Sequence, residues 1–311
     1  MNEPVTTDHP EQSLARGILG ISRAPFLLLP ITLVAAGATA SAYDDGFSWL
    51  ATLLALVGLV ALHVAVNTLN EWSDFLRGID QRTARTPFSG GSGTLPAGAV
   101  SPGFALGWGL AASALGAAVG VYFILQVGAS VVPLFVIGAL LVLFYTDLFA
   151  RLAVGEIAAG LGLGALPVVG TALVQQGSVG AAAVAASVPA FLMTFNLLLL
   201  NEFPDIDADR FGGRRNLVLV LGRRPGALVY ALAALAVPVW IAGSVIAGAL
   251  PPLALLGVLP SLLLRRPLAW AFRHSAEPVP VPALGDNVAW NLGTNTLLAV
   301  ALVATVLLQR G

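Results

Sequence analysis

HVAVNTLNEWSD, residues 63–74, closes a long apolar run and carries His63, Asn67, Asn70 and Asp74 at i, i+4, i+7 and i+11. That spacing places all four on one face of a helix. A polar stripe on an apolar helix is costly unless it lines a cavity or finds partners. The end of the stripe is repeated: NEWSD at 70–74 is matched by NEFPD at 201–205, 131 positions later and again directly after an apolar run. The second copy continues as NEFPDIDADRFGGRRN. Asp205 and Asp209 share a face there, and Asp207 points elsewhere if the helix continues. Pro204 favours a break or kink. In the first copy, Gly78 can end the helix and let Asp80 turn back toward Asp74.

The rest of the chain explains why such motifs stand out. Of its 311 residues 57% are hydrophobic and only 10% charged, where a soluble domain has about 25% charged. Mean hydropathy is +0.88. These values define an integral membrane protein surrounded by lipid bilayer. The net charge of −1 gives no field that would select nucleic acid. With no Cys there is no disulfide frame, thiolate metal site or Cys nucleophile. All fifteen basic residues are Arg, so Lys Schiff-base chemistry is excluded.

Apolar stretches of about 20 residues mark spanning helices. Nine are expected, at 24–43, 48–70, 102–125, 129–148, 152–175, 180–201, 225–247, 250–265 and 286–308. Residues 1–22 read as a disordered cytoplasmic tail and 23–311 as one transmembrane domain. RRPLAWAFRHSAEPVPVPALGD after the short eighth span reads as an interfacial segment and loop. With nine spans, every Arg but Arg310 falls on one side of the membrane. The positive-inside rule then puts the N-terminus in the cytoplasm and the C-terminus opposite, as in a bacterial inner membrane. The pentapeptides end spans 2 and 6. An all-α bundle of two parallel four-helix halves plus one helix follows, with a central cavity opening at the cytoplasmic face.

Carboxylates gathered there repel one another unless a cation sits among them. Mg²⁺ takes oxygen ligands, often one or two carboxylates with substrate phosphates and water. Zinc is disfavoured by the lack of Cys and by only three His. Arginines near the motifs supply phosphate donors, and FSGGSG at 88–93 offers backbone N–H groups for an anion nest. A metal–diphosphate site at the mouth of an apolar cavity suits a polyprenyl diphosphate. Two alternatives remain at this point. A transporter also has repeats and buried polar groups, although its site lies near the midplane. A terpene cyclase, or an enzyme prenylating a different acceptor, would share the metal site.

The chain resembles the UbiA superfamily of intramembrane aromatic prenyltransferases. The resemblance rests on Asn70, Asp74 and Asp80, on Asp205 and Asp209, and on SRAPFLLLP, VGEIAAGLGLGALPVVGT and DRFGGRRNLVLVLG. Within the family, NEWSDFLRGID and RTPFSGGSG are similar to the 1,4-dihydroxy-2-naphthoate branch of menaquinone synthesis. The resemblance implies Mg²⁺ held by Asp74, Asp80, Asp205 and Asp209, with Asn70 orienting the first group. Arg82, Arg85, Arg214 and Arg215 are candidate diphosphate ligands. His63, Asn67, Tyr145, Glu156, Asn201 and Asn291 are candidates for the pocket of the aromatic acceptor, with interhelical bonding the competing role for Asn291. At the end of span 4, Asp147 stands near a position where relatives carry Pro, and Asn216 stands where they often carry Thr.

Overall fold

A computed structural model describes residues 10–83, 85–145 and 148–310, with the helical backbone alone at 10–13. Asp147, and the expected pairing of Asp147 with Arg151, lie outside the described residues. The described residues form helices and loops: α1 (Pro10–Ile21), α2 (Ala24–Tyr43), α3 (Trp49–Leu76), α4 (Pro102–Val127), α5 (Ala129–Phe144), α6 (Gly155–Gln176), α7 (Ala181–Phe211), α8 (Leu217–Leu221), α9 (Arg223–Ile246), α10 (Pro252–Arg273) and α11 (Val281–Arg310). Eight of these are long and apolar enough to cross a membrane; α5 is apolar but shorter. The helix of α5 stops at Phe144, short of the bound of 148 expected for that span.

Three boundaries differ for physical reasons. Residues Pro10–Ile21, assigned to a disordered tail, are helical. Fully buried Ile21 packs with Leu95, Val100 and Ala105, which gives that helix a partner. α10 is a 3₁₀ stretch, Pro252–Leu264, followed directly by an α-helical one, Arg265–Arg273, so RRPLAWAFR is helical and continues from the eighth span without a loop. α7 continues through Pro204 to Phe211, so the expected break does not occur. Proline costs a helix one N–H and frees the carbonyl four residues back. At Pro189 that carbonyl, on Ala185, accepts the Trp240 indole N–H at 2.9 Å, which shows how a neighbouring helix takes up what the ring releases.

Small residues let the helices approach closely, the usual packing mode in lipid. A Cβ on Gly37 of α2 would lie 2.5 Å from the Val168 carbonyl of α6, and one on Gly164 of α6 would lie 2.5 Å from the Ala190 carbonyl of α7. Side-chain amides add polar ties. Asn196 on α7 donates to the Tyr230 carbonyl, the Tyr230 hydroxyl donates to Asn287 on α11, and Asn287 donates back to the Asn196 carbonyl. Residues 161–165 of α6 are wound as a π-turn. Pro167 cannot donate to Leu163, and the Thr194 hydroxyl of α7 reaches the Leu163 carbonyl at 3.5 Å. Widened turns of this kind often border functional sites, and Leu163 lines the cavity described next.

Candidate active site

The polar stripe of α3 decides where the site lies. His63, Asn67, Asn70 and Asp74 all line one cavity of about 160 Å³. Asn201, Asp205 and Asp209 reach it from α7, and Tyr145 closes another side. Asp207, out of phase with them on the helix, is exposed and pairs with Arg210. α3 stops at Leu76, and Gly78 takes a left-handed φ of +72°. The chain therefore folds back, and Asp80 is buried against the same cavity.

The loop after Asp80 is built to hold carboxylates. The Thr86 hydroxyl accepts the Phe88 and Ser89 N–H groups, fixing a tight turn. Gly90, Gly91 and Gly93 then adopt φ of +83°, +73° and +77°, which only glycine does at no cost. The anion nest expected here points its donors at the protein's own acids. The Ser92 N–H and hydroxyl both go to Glu71. A Cβ on Gly91 would stand 2.9 Å from Asp80 Oδ1. Gly91→Ala is therefore expected to destabilise the protein by about 1–2 kcal/mol through its left-handed φ and to displace Asp80, measurable as a lower thermal midpoint in detergent.

Arg214 joins the two acidic motifs. Its Nη2 donates to both Asp74 oxygens at 2.6 and 2.5 Å, and its Nη1 reaches Asp209 Oδ1 at 3.4 Å. Asn216 donates to Asp209 Oδ2 at 2.8 Å while capping α8 through the Leu219 N–H. Asp209 sits in the last turn of α7, where the helix dipole disfavours a carboxylate; Arg214 and Asn216 offset this. Burial pulls the Arg214 pKa down, but Asp74 and Asp209 outweigh it and hold the guanidinium above its ordinary range. Burial pushes the Asp80 carboxyl up to about 7, with Asp74 and Glu71 adding to the shift.

That shift fixes a sign. The folded value lies above the free value of 3.8, so the folded state holds the proton more tightly. Asp80 thus stabilises the protein fully below 3.8, and the contribution fades as pH rises through about 7. In metal-free buffer, Asp80→Asn is expected to remove this part of the decline, read as the thermal midpoint between about pH 4 and pH 8.

Other expected residues fall outside the cavity lining. Arg82 is exposed and stacks on the Phe211 ring at 3.6 Å. Arg85 is exposed, donates to the Asp80 carbonyl and lies against Gly93. Arg215 is exposed, and its N–H goes to the Ala150 carbonyl. Asn291 is buried on α11 and accepts from Asn295, one turn along the same helix, at 2.9 Å. Glu156 is fully buried behind the wall and accepts the Leu217 N–H. Three residues were missed. Arg23 lines the cavity from a left-handed backbone (φ 49°) and donates to buried Glu71 at 2.9 Å. Glu202 lines the cavity on α7. A lone charge carries no periodic signal, although Arg23 and Glu71 sit inside the quoted SRAPFLLLP and NEWSD.

Among the described lining residues, five carboxyls (Asp74, Asp80, Glu202, Asp205, Asp209) face two guanidiniums (Arg23, Arg214). The set is short of positive charge. Asp80 Oδ2, Glu202 Oε2 and Asp205 Oδ1 are buried without a hydrogen-bond partner. Among the described residues no three such groups already stand at metal-holding spacing. Hard oxygen donors with unmet demand fit Mg²⁺ in the mode that takes few carboxylates and completes its shell with phosphate and water.

A bundle of helices long and apolar enough to cross a membrane, packed around such a cavity, defines a class of integral membrane proteins with a buried polar site. The chain belongs to the UbiA prenyltransferase family, whose model matches residues 28–292. A Bacillus subtilis (strain 168) protein, 1,4-dihydroxy-2-naphthoate octaprenyltransferase, is 28% identical over 204 residues, and the match spans 64% of each chain. Two solved structures share the fold. A UbiA homologue from Aeropyrum pernix K1 has a TM-score of 0.66 at 18% identity, covering 90% of this chain and 98% of that one. A UbiA homologue from Archaeoglobus fulgidus, bound to GPP and Mg²⁺, has a TM-score of 0.65 at 16% identity, covering 96% and 99%.

Proposed function

We propose that this prenyltransferase moves a polyprenyl group from polyprenyl diphosphate to an aromatic acceptor, 1,4-dihydroxy-2-naphthoate, as a step of menaquinone synthesis. The observation that carries the reaction is the meeting of Asp74 and Asp80 with Asp205 and Asp209 across one buried cavity. The naphthoate assignment draws on the Bacillus subtilis relative. The Archaeoglobus fulgidus homologue, whose structure holds GPP and Mg²⁺, supports the donor class and the metal. The one-sided arginines support a cytoplasmic N-terminus and a bacterial inner-membrane location, with residues 23–311 as one transmembrane domain.

In this reading Asp74, Asp80, Asp205 and Asp209 hold Mg²⁺, with Asn70 orienting the first group. Bound there, the metal would supply electrostatic stabilisation of the leaving diphosphate. Arg214 leans on the same phosphates, since it already stands between Asp74 and Asp209. Arg23, which also lines the cavity, does the same. The apolar lining, with Phe26, Leu29, Leu197 and Leu198, keeps water from the allylic carbon as its C–O bond breaks. His63, Asn67, Tyr145 and Asn201, which line the same cavity, orient the ring.

The test is purified protein in detergent with Mg²⁺ and a polyprenyl diphosphate, given 1,4-dihydroxy-2-naphthoate or 4-hydroxybenzoate, with products read by mass. A prenylated, decarboxylated naphthoquinol is expected. Diphosphate release with neither product would sink the naphthoate assignment and leave the family chemistry. Absence of both turnover and prenyl diphosphate binding would overturn the whole reading.

A further inference from the structure

A second cleft lies at the ends of α9 and α10, apart from the acidic cavity. α9 begins at Arg223 and α10 ends at Arg273, and residues 247–251 join their other ends. Arg224 and Arg273 therefore stand at the same end of the bundle. Both line a cleft of about 320 Å³, together with Leu228, Phe272 and Ser275. The turn beneath it is braced through its backbone. Arg223 donates to the Ser275 carbonyl at 3.2 Å and to the Glu277 carbonyl at 2.7 Å, and the Trp270 indole N–H donates to the Glu277 carbonyl at 3.2 Å. The chain after α10 is thus pinned to the start of α9. The charge is one-sided. After Asp209 the sequence has only two acids, Glu277 and Asp286. Glu277 meets His274 at 3.2 Å, and Asp286 meets Arg266 at 3.4 Å. Arg224 and Arg273 are exposed and have no hydrogen-bond or ion-pair partner among the described residues. Gly222, the N-cap of α9, offers no side chain, so the positive end of the helix dipole adds to the same charge.

The depth of the cleft suits a lipid headgroup. α9 has 24 residues, about 36 Å at 1.5 Å per residue, which exceeds the hydrocarbon core of about 30 Å. A span of that length sets its first turn at headgroup level. Leu228 and Phe272, 49% and 58% exposed, give the cationic cleft an apolar edge. We propose that this cleft, independently of the transfer reaction, binds an anionic phospholipid. The phosphate sits with Arg224 and Arg273, and the first carbons of the chains lie on Leu228 and Phe272. Guanidinium is matched to this role because it donates to two phosphate oxygens at once and sheds water readily. A zwitterionic lipid brings an ammonium group beside its phosphate, and free phosphate brings no chains, so neither meets both edges of the cleft.

The test is full-length protein, stripped of lipid in a nonionic detergent and titrated with phosphatidylglycerol, phosphatidylcholine or inorganic phosphate. The thermal midpoint is the readout, since a ligand that binds only the folded state raises it. Phosphatidylglycerol is expected to raise it saturably, and the other two are not. Arg224→Gln and Arg273→Gln should each weaken the apparent affinity for phosphatidylglycerol about fivefold, and together about 25-fold, as expected for one arginine at an anionic lipid surface and for two. Both side chains are exposed, so the variants keep the fold and their own midpoints without lipid should match the wild type. Arg310→Gln is the control for general charge. It lies at the other end of the bundle, where Arg310 meets Asp45 at 3.7 Å, and it should leave the affinity unchanged. An equal rise with phosphatidylcholine, or one reproduced by inorganic phosphate alone, overturns the proposal. So does wild-type affinity in the double variant, or a loss in Arg310→Gln as large as in the cleft variants.

Discussion

Asp74→Asn and Asp205→Asn, made singly, are each expected to lower prenyl transfer by about 10³-fold, on the order of 4 kcal/mol of transition-state stabilisation. The substitution is nearly isosteric, so the packing of α3 and α7 is left in place and the change is one of charge. Asp74 is the partner that Arg214 grips through both oxygens, and Asp205 carries a buried oxygen with no hydrogen-bond partner. Each loss removes a hard oxygen donor from a set in which few carboxylates must suffice. A side-chain amide at either position carries no negative charge, and its NH₂ group brings hydrogen-bond donors to the place where a cation would sit. The measurement is kcat with saturating prenyl diphosphate over a range of Mg²⁺ concentrations. The mutants should need more Mg²⁺ and still not reach the wild-type rate. Asp207→Asn on the same helix as Asp205 is the internal control. That side chain is exposed, and its substitution should leave the rate unchanged. Equal losses at all three positions would mean that the acidic motif acts through general charge and not through the cavity.

The contrast between Asp205 and Asp207 shows which parts of this site a sequence exposes. Helical spacing alone put His63, Asn67, Asn70 and Asp74 on one face, and all four line the cavity. Periodicity works there because one rigid helix carries the whole set. It also separated Asp207 from its neighbours. Arginines follow a different rule. Arg214 and Arg215 are adjacent in sequence, yet one is buried between Asp74 and Asp209 and the other is exposed. Their difference depends on how the loop leaves α7, where the Arg214 N–H bonds the Asp209 carbonyl. Arg82 and Arg85 were close to Asp80 in sequence, but long flexible stems let their charges leave for the surface. Arg23 and Glu71 meet across 48 positions, and Arg214 meets Asp74 across 140. Such pairs exist only once the helices have packed. The bounds of the spans show the same limit. Hydropathy marks α5 as apolar but cannot show that its helix ends at Phe144.

Arg214→Met is expected to destabilise the metal-free protein by about 3–5 kcal/mol, the cost of breaking a buried ion pair by removing one partner. The side chains of Asp74 and Asp209 are 6% and 3% exposed, and that of Arg214 is 19% exposed, so water screens this contact little. Without the guanidinium two carboxylates face each other in a cavity already short of positive charge. Methionine keeps most of the volume, so the loss is electrostatic and not a packing void. The same reasoning fixes how the defect should respond to ligands. A divalent cation entering among the carboxylates supplies the missing charge, and anything that binds only the folded state raises its stability by mass action. Thermal unfolding in detergent should therefore show a large drop for Arg214→Met without Mg²⁺ and a larger Mg²⁺-dependent rise than in wild type. Transfer should remain low even when stability is restored, because the cation would then replace the arginine's structural charge but not its contact with the leaving diphosphate. A drop that Mg²⁺ does not reduce would mean that Arg214 holds the loop after α7 by geometry and not by charge, and that the cation site lies away from Asp74 and Asp209.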